Sequence, residues 1–216
     1  MKIGVRAHDY GRHGVADYAA LLKKEGYEAV QTFKNCLHYN QIIGARVVGS
    51  ETAYPHLSKL EKHRWFPHMM DSLKELRDEA ERLNVWMAVE PVGWHPLEDA
   101  ETARDILDEL DSDHVKIIFD PANVLERPAE IVQPVYWKRC FELLGDYIEA
   151  IHLKDFTVDA DGGYVAKLLG EGIMDYTALM EWLKTRPEMP VLREEMNPST
   201  AAQDLAFMRR MKNAVQ

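Results

Sequence analysis

Four stretches of this chain repeat one pattern, and that pattern limits the folds open to it. Each is a short apolar run that carries, near its C-terminal end, a side chain able to ligate a metal. Residues 115–119, VKIIF, run into Asp120 and Pro121. The run suits a strand buried on both faces, and the proline stops it from continuing. VWMAVEP reaches Glu90, YIEAIHLKD carries His152, and PVLREEM carries Glu194 and Glu195. Helical segments separate the runs. Polar groups delivered to one place by successive strand ends are how a (β/α) barrel assembles a site. Any one of these groups alone reads as a capping or salt-bridged residue; the recurrence is what points to a shared site.

The rest of the chain follows the same alternation. Residues 2–7 read as a first strand ending at His8, and residues 15–25 as an amphipathic helix closed by Gly26. Residues 27–31 read as a second strand. Directly after it, Phe33, Leu37, Asn40, Gln41 and Gly44 share one side of a helix. That helix must start almost where the strand stops, whereas a βα connection normally takes about 2–6 residues. Residues 45–51 form a third strand. Helix 64–83, strand 85–90, helix 98–110, strand 114–120, helix 134–145 and strand 147–153 follow. A turn at Asp161-Gly162-Gly163, helix 175–185, strand 190–195 and helix 200–213 complete the chain.

Strict alternation implies parallel strands joined by right-handed crossovers. Seven strands are counted in the 216 residues, against the eight of a complete barrel. The compression between Gln31 and Phe33 places the missing α/β unit between the second and third strands. The expectation is one α/β domain over residues 1–216, a TIM-type barrel short of one unit. An open doubly wound sheet fits less well, because RAHDYGRHG after strand one has neither G-x-G-x-x-G nor Walker spacing.

Charge and cysteine usage exclude several functions. A net charge of −10 disfavours a nucleic-acid partner, which needs a basic surface. No apolar run reaches the length of a membrane span, and MKIGVRAHDYG has no signal-peptide apolar core. Cys36 and Cys140 fall in helical segments without metal-ligand spacing, which reads as reduced thiols in a cytoplasmic protein.

At VEPVGWHP, IFDPANVL, IHLKDF and REEMNPST the chain resembles the xylose-isomerase-like barrel superfamily. More narrowly, it is similar to sugar phosphate isomerases/epimerases of the ketose 3-epimerase group. The resemblance runs from Gly44 to the C-terminus and includes the first strand and helix. It implies a TIM barrel holding one divalent cation, Mn²⁺ foremost, with Mg²⁺, Co²⁺ or Zn²⁺ in some members. Carried over residue by residue, it makes Glu90, Asp120, His152 and Glu194 the metal ligands. Glu194 and Glu195 point to opposite faces of their strand, so only one enters the barrel; the family's apolar-apolar-Glu ending favours Glu194. A homodimer is the family's expectation, and a small sugar or sugar phosphate is the expected partner.

Three carboxylates and an imidazole suit a hard ion such as Mn²⁺ or Mg²⁺. Such an ion chelates adjacent carbonyl and hydroxyl oxygens of a sugar and stabilises the enediolate left by proton loss. The resemblance implies Glu90 and Glu194 as the acid/base pair, one abstracting a proton and the other returning it. The expected enzyme is a metal-dependent isomerase/epimerase. The alternatives are a dehydratase of inosose or dehydroshikimate type on the same metal site, or a catalytically impaired barrel that only binds a ligand. Substrate contacts are expected from His8, Glu51, His95 and Lys154. For Lys154, alternate spacing from His152 places it on the same inward face, where it holds a substrate oxygen or neutralises a ligand carboxylate. The Gly170-Glu171-Gly172 turn is a weak phosphate-cradle candidate, and Asn123 reads as a turn residue first.

Overall fold

The run at Val115–Phe119 becomes a strand whose side chains alternate in burial. Val115, Ile117 and Phe119 are fully buried, while Lys116 and Ile118 are half-buried. The computed structural model describes residues 2–5, 29–45, 47–53, 56–125, 131–160 and 162–215. Within them the chain forms β1 (Lys2–Val5), α1 (Ala29–Ile43), β2 (Val47–Glu51), α2 (Lys59–Leu83) and β3 (Trp86–Glu90). Next come α3 (Ala100–Leu110), β4 (Val115–Phe119), α4 (Gln133–Leu144) and β5 (Ile148–Leu153). The chain continues through β6 (Asp155–Val158), β7 (Tyr164–Lys167), α5 (Thr177–Lys184), β8 (Pro190–Arg193) and α6 (Ala201–Val215).

Six strands form one parallel sheet in the order β1-β8-β5-β4-β3-β2. The first strand pairs with the last, as a closing barrel requires, and β1 and β2 are the sheet's edges among the described residues. The alternation of strand and helix gives the expected α/β barrel architecture, with two corrections. The strand expected at residues 27–31 is absent where it is described: Ala29–Gln31 belong to α1. The helix anticipated from Phe33 starts earlier, at Ala29, and Leu37 and Asn40 in it are buried. The wall is therefore two strands short of eight among the described residues, not one. The second correction concerns residues 155–167. Only a turn was expected there, but β6 and β7 pair as an antiparallel hairpin, with Asp155 opposite Lys167.

The core lies between the sheet's outer face and the helices. Phe119 meets Trp137 and Phe141 of α4 edge-on, at centroid distances of 6.4 and 5.6 Å. Ala100, Ala103, Ile106, Leu107 and Leu110 form the buried stripe of α3 at helical spacing. Fully burying each large apolar side chain contributes about 1.5–3 kcal/mol. Helix α2 starts earlier than the sequence suggested because Ser58 and Glu61 form a reciprocal capping box; it ends where Asn84 turns left-handed at φ 52°. A Cβ on Gly49 would lie 2.0 Å from Ile118 Cδ1, so a side chain there would require the Ile118 tip to move.

Candidate metal centre

The sheet order puts four strands, β8, β5, β4 and β3, side by side, and their C-terminal ends converge. Glu90 is the last residue of β3, Asp120 follows β4, His152 lies in β5 and Glu194 follows β8. One ligand atom from each lies within 4.8 Å of all the others, and all four residues are buried. His152 Nδ1 is 3.0 Å from Glu90 Oε2 and 3.0 Å from Glu194 Oε2. These approaches are close but lack hydrogen-bond alignment, so Nδ1 is buried with no hydrogen-bond partner, as is Asp120 Oδ2. Buried polar atoms are ordinarily satisfied. Atoms that converge without bonding to one another fit an ion between them, and three carboxylates with one imidazole fit a divalent cation.

Local structure fixes each group. Pro121 ends β4, and the chain turns back so that Asp120 Oδ1 accepts from Ala122 N at 2.8 Å and Asn123 N at 3.3 Å. The other oxygen, Oδ2, is left for the cluster. Asn123 Nδ2 donates to Glu90 Oε1 at 2.6 Å, so the residue read as a turn former also orients a carboxylate. No pattern in DPANV marked that second role. Burial works to raise the Glu90 carboxyl, but His152, Lys154 and Asn123 outweigh it and hold it below the ordinary carboxylate range. Asp120 is pushed the other way, above that range, by complete burial and by Glu90, against the pull of Lys154.

Lys154 is buried, with Nζ 3.4 Å from Asp120 Oδ2, 3.5 Å from Glu194 Oε2 and 3.7 Å from Glu195 Oε1. It shares the inward face as expected, and in this structure it neutralises carboxylates. Glu194 joins the cluster. Glu195 turns away in a left-handed conformation, φ 57°, and accepts from Tyr164 Oη of the hairpin at 2.6 Å. His95 is 1% exposed in the loop after β3, its Nδ1 without a hydrogen-bond partner. Burial and the neighbouring charge of His56 push it down to about 4, against Glu90. It meets Trp94 edge-on at 6.3 Å, and Trp94 stacks on His56 at 4.4 Å. Glu51 lies at the exposed end of β2, in register with Glu90 but outside the cluster. It lines a cavity of about 840 Å³ between β2, α1 and α2, bordered by Phe33, Trp65, Leu73 and Met87. His8 lies outside the described residues.

The phosphate-cradle reading of Gly170-Glu171-Gly172 does not match the hydrogen bonding. Asp155, 1% exposed, accepts from the amides of Phe156, Gly170, Gly172 and Met174 at 2.9, 2.9, 3.1 and 3.2 Å. The loop's amides thus already serve a carboxylate of the protein. A Cβ on Gly172 would lie 2.0 Å from Asp155 Oδ1, which explains the second glycine.

A family model described as a xylose isomerase-like TIM barrel matches residues 3–211. The chain belongs to that family. No curated protein matches the sequence significantly. Among solved structures, a D-tagatose 3-epimerase-like protein is 13% identical with a TM-score of 0.68, covering 99% of this chain and 76% of that one. A xylose isomerase-like TIM barrel protein from Mycobacterium smegmatis, in complex with magnesium, is 14% identical with a TM-score of 0.64. The match covers 87% of this chain and 68% of that one, so this chain spans about two thirds of its length. The probable 3-DHS dehydratase AsbF of Bacillus anthracis, involved in petrobactin synthesis, is 12% identical with a TM-score of 0.58, covering 100% and 97%. At these identities the likeness establishes the fold. No helix among the described residues is long and apolar enough to cross a membrane.

Proposed function

We propose that this protein is a divalent-metal-dependent isomerase/epimerase of a small sugar or sugar phosphate. The observation that carries the reading is the convergence of Glu90, Asp120, His152 and Glu194, buried and mutually within 4.8 Å, at the mouth of a parallel barrel wall. These four residues would hold one divalent cation, with Mn²⁺ the first choice. When bound, such an ion supplies Lewis-acid polarisation of the substrate's carbonyl oxygen.

The chain's own groups do the proton work. Glu90, from β3, and Glu194, from β8, stand at the two ends of the four-strand run, and the proposal has them act on opposite faces of a carbon held between them. One carboxylate takes the proton on the carbon beside the carbonyl, giving an enediolate. The other returns a proton to the opposite face, and the configuration inverts with no net redox change. Asn123 fixes Glu90 through Oε1, and Lys154 balances the local negative charge. His95, Glu51 and His8 are proposed substrate contacts. Cys36 and Cys140 are free thiols, and the proposal carries a cytoplasmic setting.

The test is a panel of ketoses, ketose phosphates and inososes with Mn²⁺ in D₂O, followed by proton NMR. Deuterium entering beside the carbonyl, with a new epimer or isomer, is the expected result; loss of water instead assigns the dehydratase chemistry. Glu90→Gln and Glu194→Gln should each lower turnover by about 10²–10⁴-fold. Turnover surviving in either variant would remove that residue from the proton path.

A further inference from the structure

Behind the metal centre, on the helix-facing side of β8, lies a buried ion pair that the proposed chemistry does not use. Arg193 is 4% exposed and Asp204 of α6 is 2% exposed. Arg193 Nε donates to Asp204 Oδ2 at 2.9 Å. The same guanidinium donates through Nη1 to Leu153 O at 3.3 Å and to Glu194 O, and through Nη2 to Lys167 O at 3.0 Å. Asp204 Oδ1 in turn accepts from Leu169 N at 2.9 Å. Two side chains thus tie together the residue after His152, the peptide that follows Glu194, the last residue of the hairpin and the start of the Gly170 loop.

The tie at Glu194 has a particular consequence. The next residue, Glu195, is a non-glycine in the left-handed region, a conformation that persists only where its surroundings over-determine it. Arg193 holds the carbonyl of the peptide joining Glu194 to Glu195, and Tyr164 of the hairpin holds the Glu195 carboxylate. Glu194 N also donates to Leu153 O at 3.1 Å, the same carbonyl that Arg193 engages.

We infer that Arg193 and Asp204 are a positioning pair for the metal centre. From the outer face of β8 they fix the turned peptide that aims Glu194 inward and they anchor the β6–β7 hairpin beside it. The inference rests on the four-residue cluster being a metal site, and it predicts that metal affinity falls when the pair is removed although the fold survives. Replacing both members of a buried ion pair with apolar residues is often neutral to stability, whereas losing groups that orient ligands costs about 10–100-fold in metal affinity.

The experiment compares wild type, Arg193→Met/Asp204→Leu and Asp204→Asn by calorimetric titration with Mn²⁺ alone, alongside thermal melting in EDTA. The expected result is an Mn²⁺ Kd weakened about 10–100-fold in a double variant that still melts cooperatively in EDTA, below wild type by the cost of the stranded Leu169 amide and the freed carbonyls. A folded double variant with wild-type Kd overturns the inference. Should the double variant fail to fold, Asp204→Asn decides: a Kd weakened toward the lower end of that range supports the pair's role, and an unchanged Kd rejects it. Hydrogen exchange in EDTA reads the junction without metal. Faster exchange at Leu169 and Glu194 in Asp204→Asn supports positioning, and unchanged exchange rejects it. Wild type that binds no Mn²⁺, Mg²⁺ or Zn²⁺ would instead refute the metal-site reading, while the exchange comparison still judges the pair.

Discussion

Replacing Asp120 by Asn should move the protein's stability in opposite directions with and without metal. Asp120 is completely buried, and its neighbours at the cluster include two further carboxylates and one ammonium, Lys154, at 3.4 Å. At an effective dielectric near 20, one charge pair at about 4 Å interacts by roughly 4 kcal/mol. Repulsion from Glu90 and attraction to Lys154 therefore largely cancel. What remains is the cost of keeping a carboxylate out of water, which is the main cause raising its proton affinity. For an acid held above its unfolded pKa, ionisation weakens the fold at neutral pH. An Asn keeps the Oδ1 acceptor used by Ala122 and Asn123 and removes that charge, and Lys154 retains Glu194 and Glu195. In EDTA at pH 7 the variant should be more stable than wild type, because the buried charge is gone while Lys154 keeps two carboxylate partners.

With Mn²⁺ the order should reverse. A ligand at a hundred times its Kd stabilises the folded state by about 2.7 kcal/mol, which raises the melting temperature of a domain this size by roughly 5–10 °C. Asp120→Asn forfeits a ligand and should show little of that rise. Thermal melts in EDTA and in Mn²⁺ provide the assay. A variant less stable than wild type in EDTA would show that Asp120's charge serves the fold, and a full Mn²⁺ shift in the variant would show that it is no ligand.

Two further predictions concern the loops around the site. Asp155→Ala strands four backbone amides, of which those of Phe156 and Met174 are in buried bonds, and should cost about 2–6 kcal/mol in urea unfolding, given about 1–3 kcal/mol for each buried orphan; Asp155→Asn, which keeps one acceptor oxygen, should cost less, and a loss under about 1 kcal/mol in Asp155→Ala would show that the amides find other partners. His95 is depressed to about 4 from 6.5, so its contribution to stability is complete above pH 6.5 and is lost as pH falls toward 4. The stability gap between wild type and His95→Gln should therefore narrow across that window, and a constant gap would show that His95 does not titrate there.

The parts of this molecule legible in the sequence are those where local chemistry and tertiary environment agree. VKIIFDP is readable because a continuous apolar run, a carboxylate and a strand-ending proline all point the same way. Glu90, His152 and Glu194 are readable because each sits at the same phase of an apolar run. The misreadings have the opposite origin. AVQ at residues 29–31 is compatible with a strand locally, and what decides against it is the helical side running on from Phe33 to Gly44. The β6–β7 hairpin is short and partly exposed, so it carries no core alternation to read. Arg193 is tolerated in a buried strand by a partner, Asp204, that lies on another element eleven residues later, where no local pattern points to it. Asp155 likewise gave no sign that it would gather amides up to nineteen residues away.

Among the described residues, the sheet's edges and the cluster lie at different places around the sheet, and this separates two properties, cation binding and substrate enclosure. The ligand-type residues come from β3, β4, β5 and β8, an unbroken run of neighbours joined by backbone ladders. The sheet's edges are β1 and β2, outside that run. A cation held by these residues would depend on four contiguous strands together with Asn123, which orients Glu90, and Arg193 behind β8. Enclosure of a substrate depends on what stands between β1 and β2, where Glu51 is exposed. Metal affinity and substrate affinity should therefore respond to different substitutions: Asn123→Ala should weaken Mn²⁺ binding by about 10-fold or more through the loss of its bond to Glu90, whereas Glu51→Ala should leave the Mn²⁺ Kd unchanged and act on KM alone. Calorimetry and steady-state kinetics on the two variants check this, and an Mn²⁺ Kd that moves with Glu51→Ala would show that the edge and the centre are coupled after all.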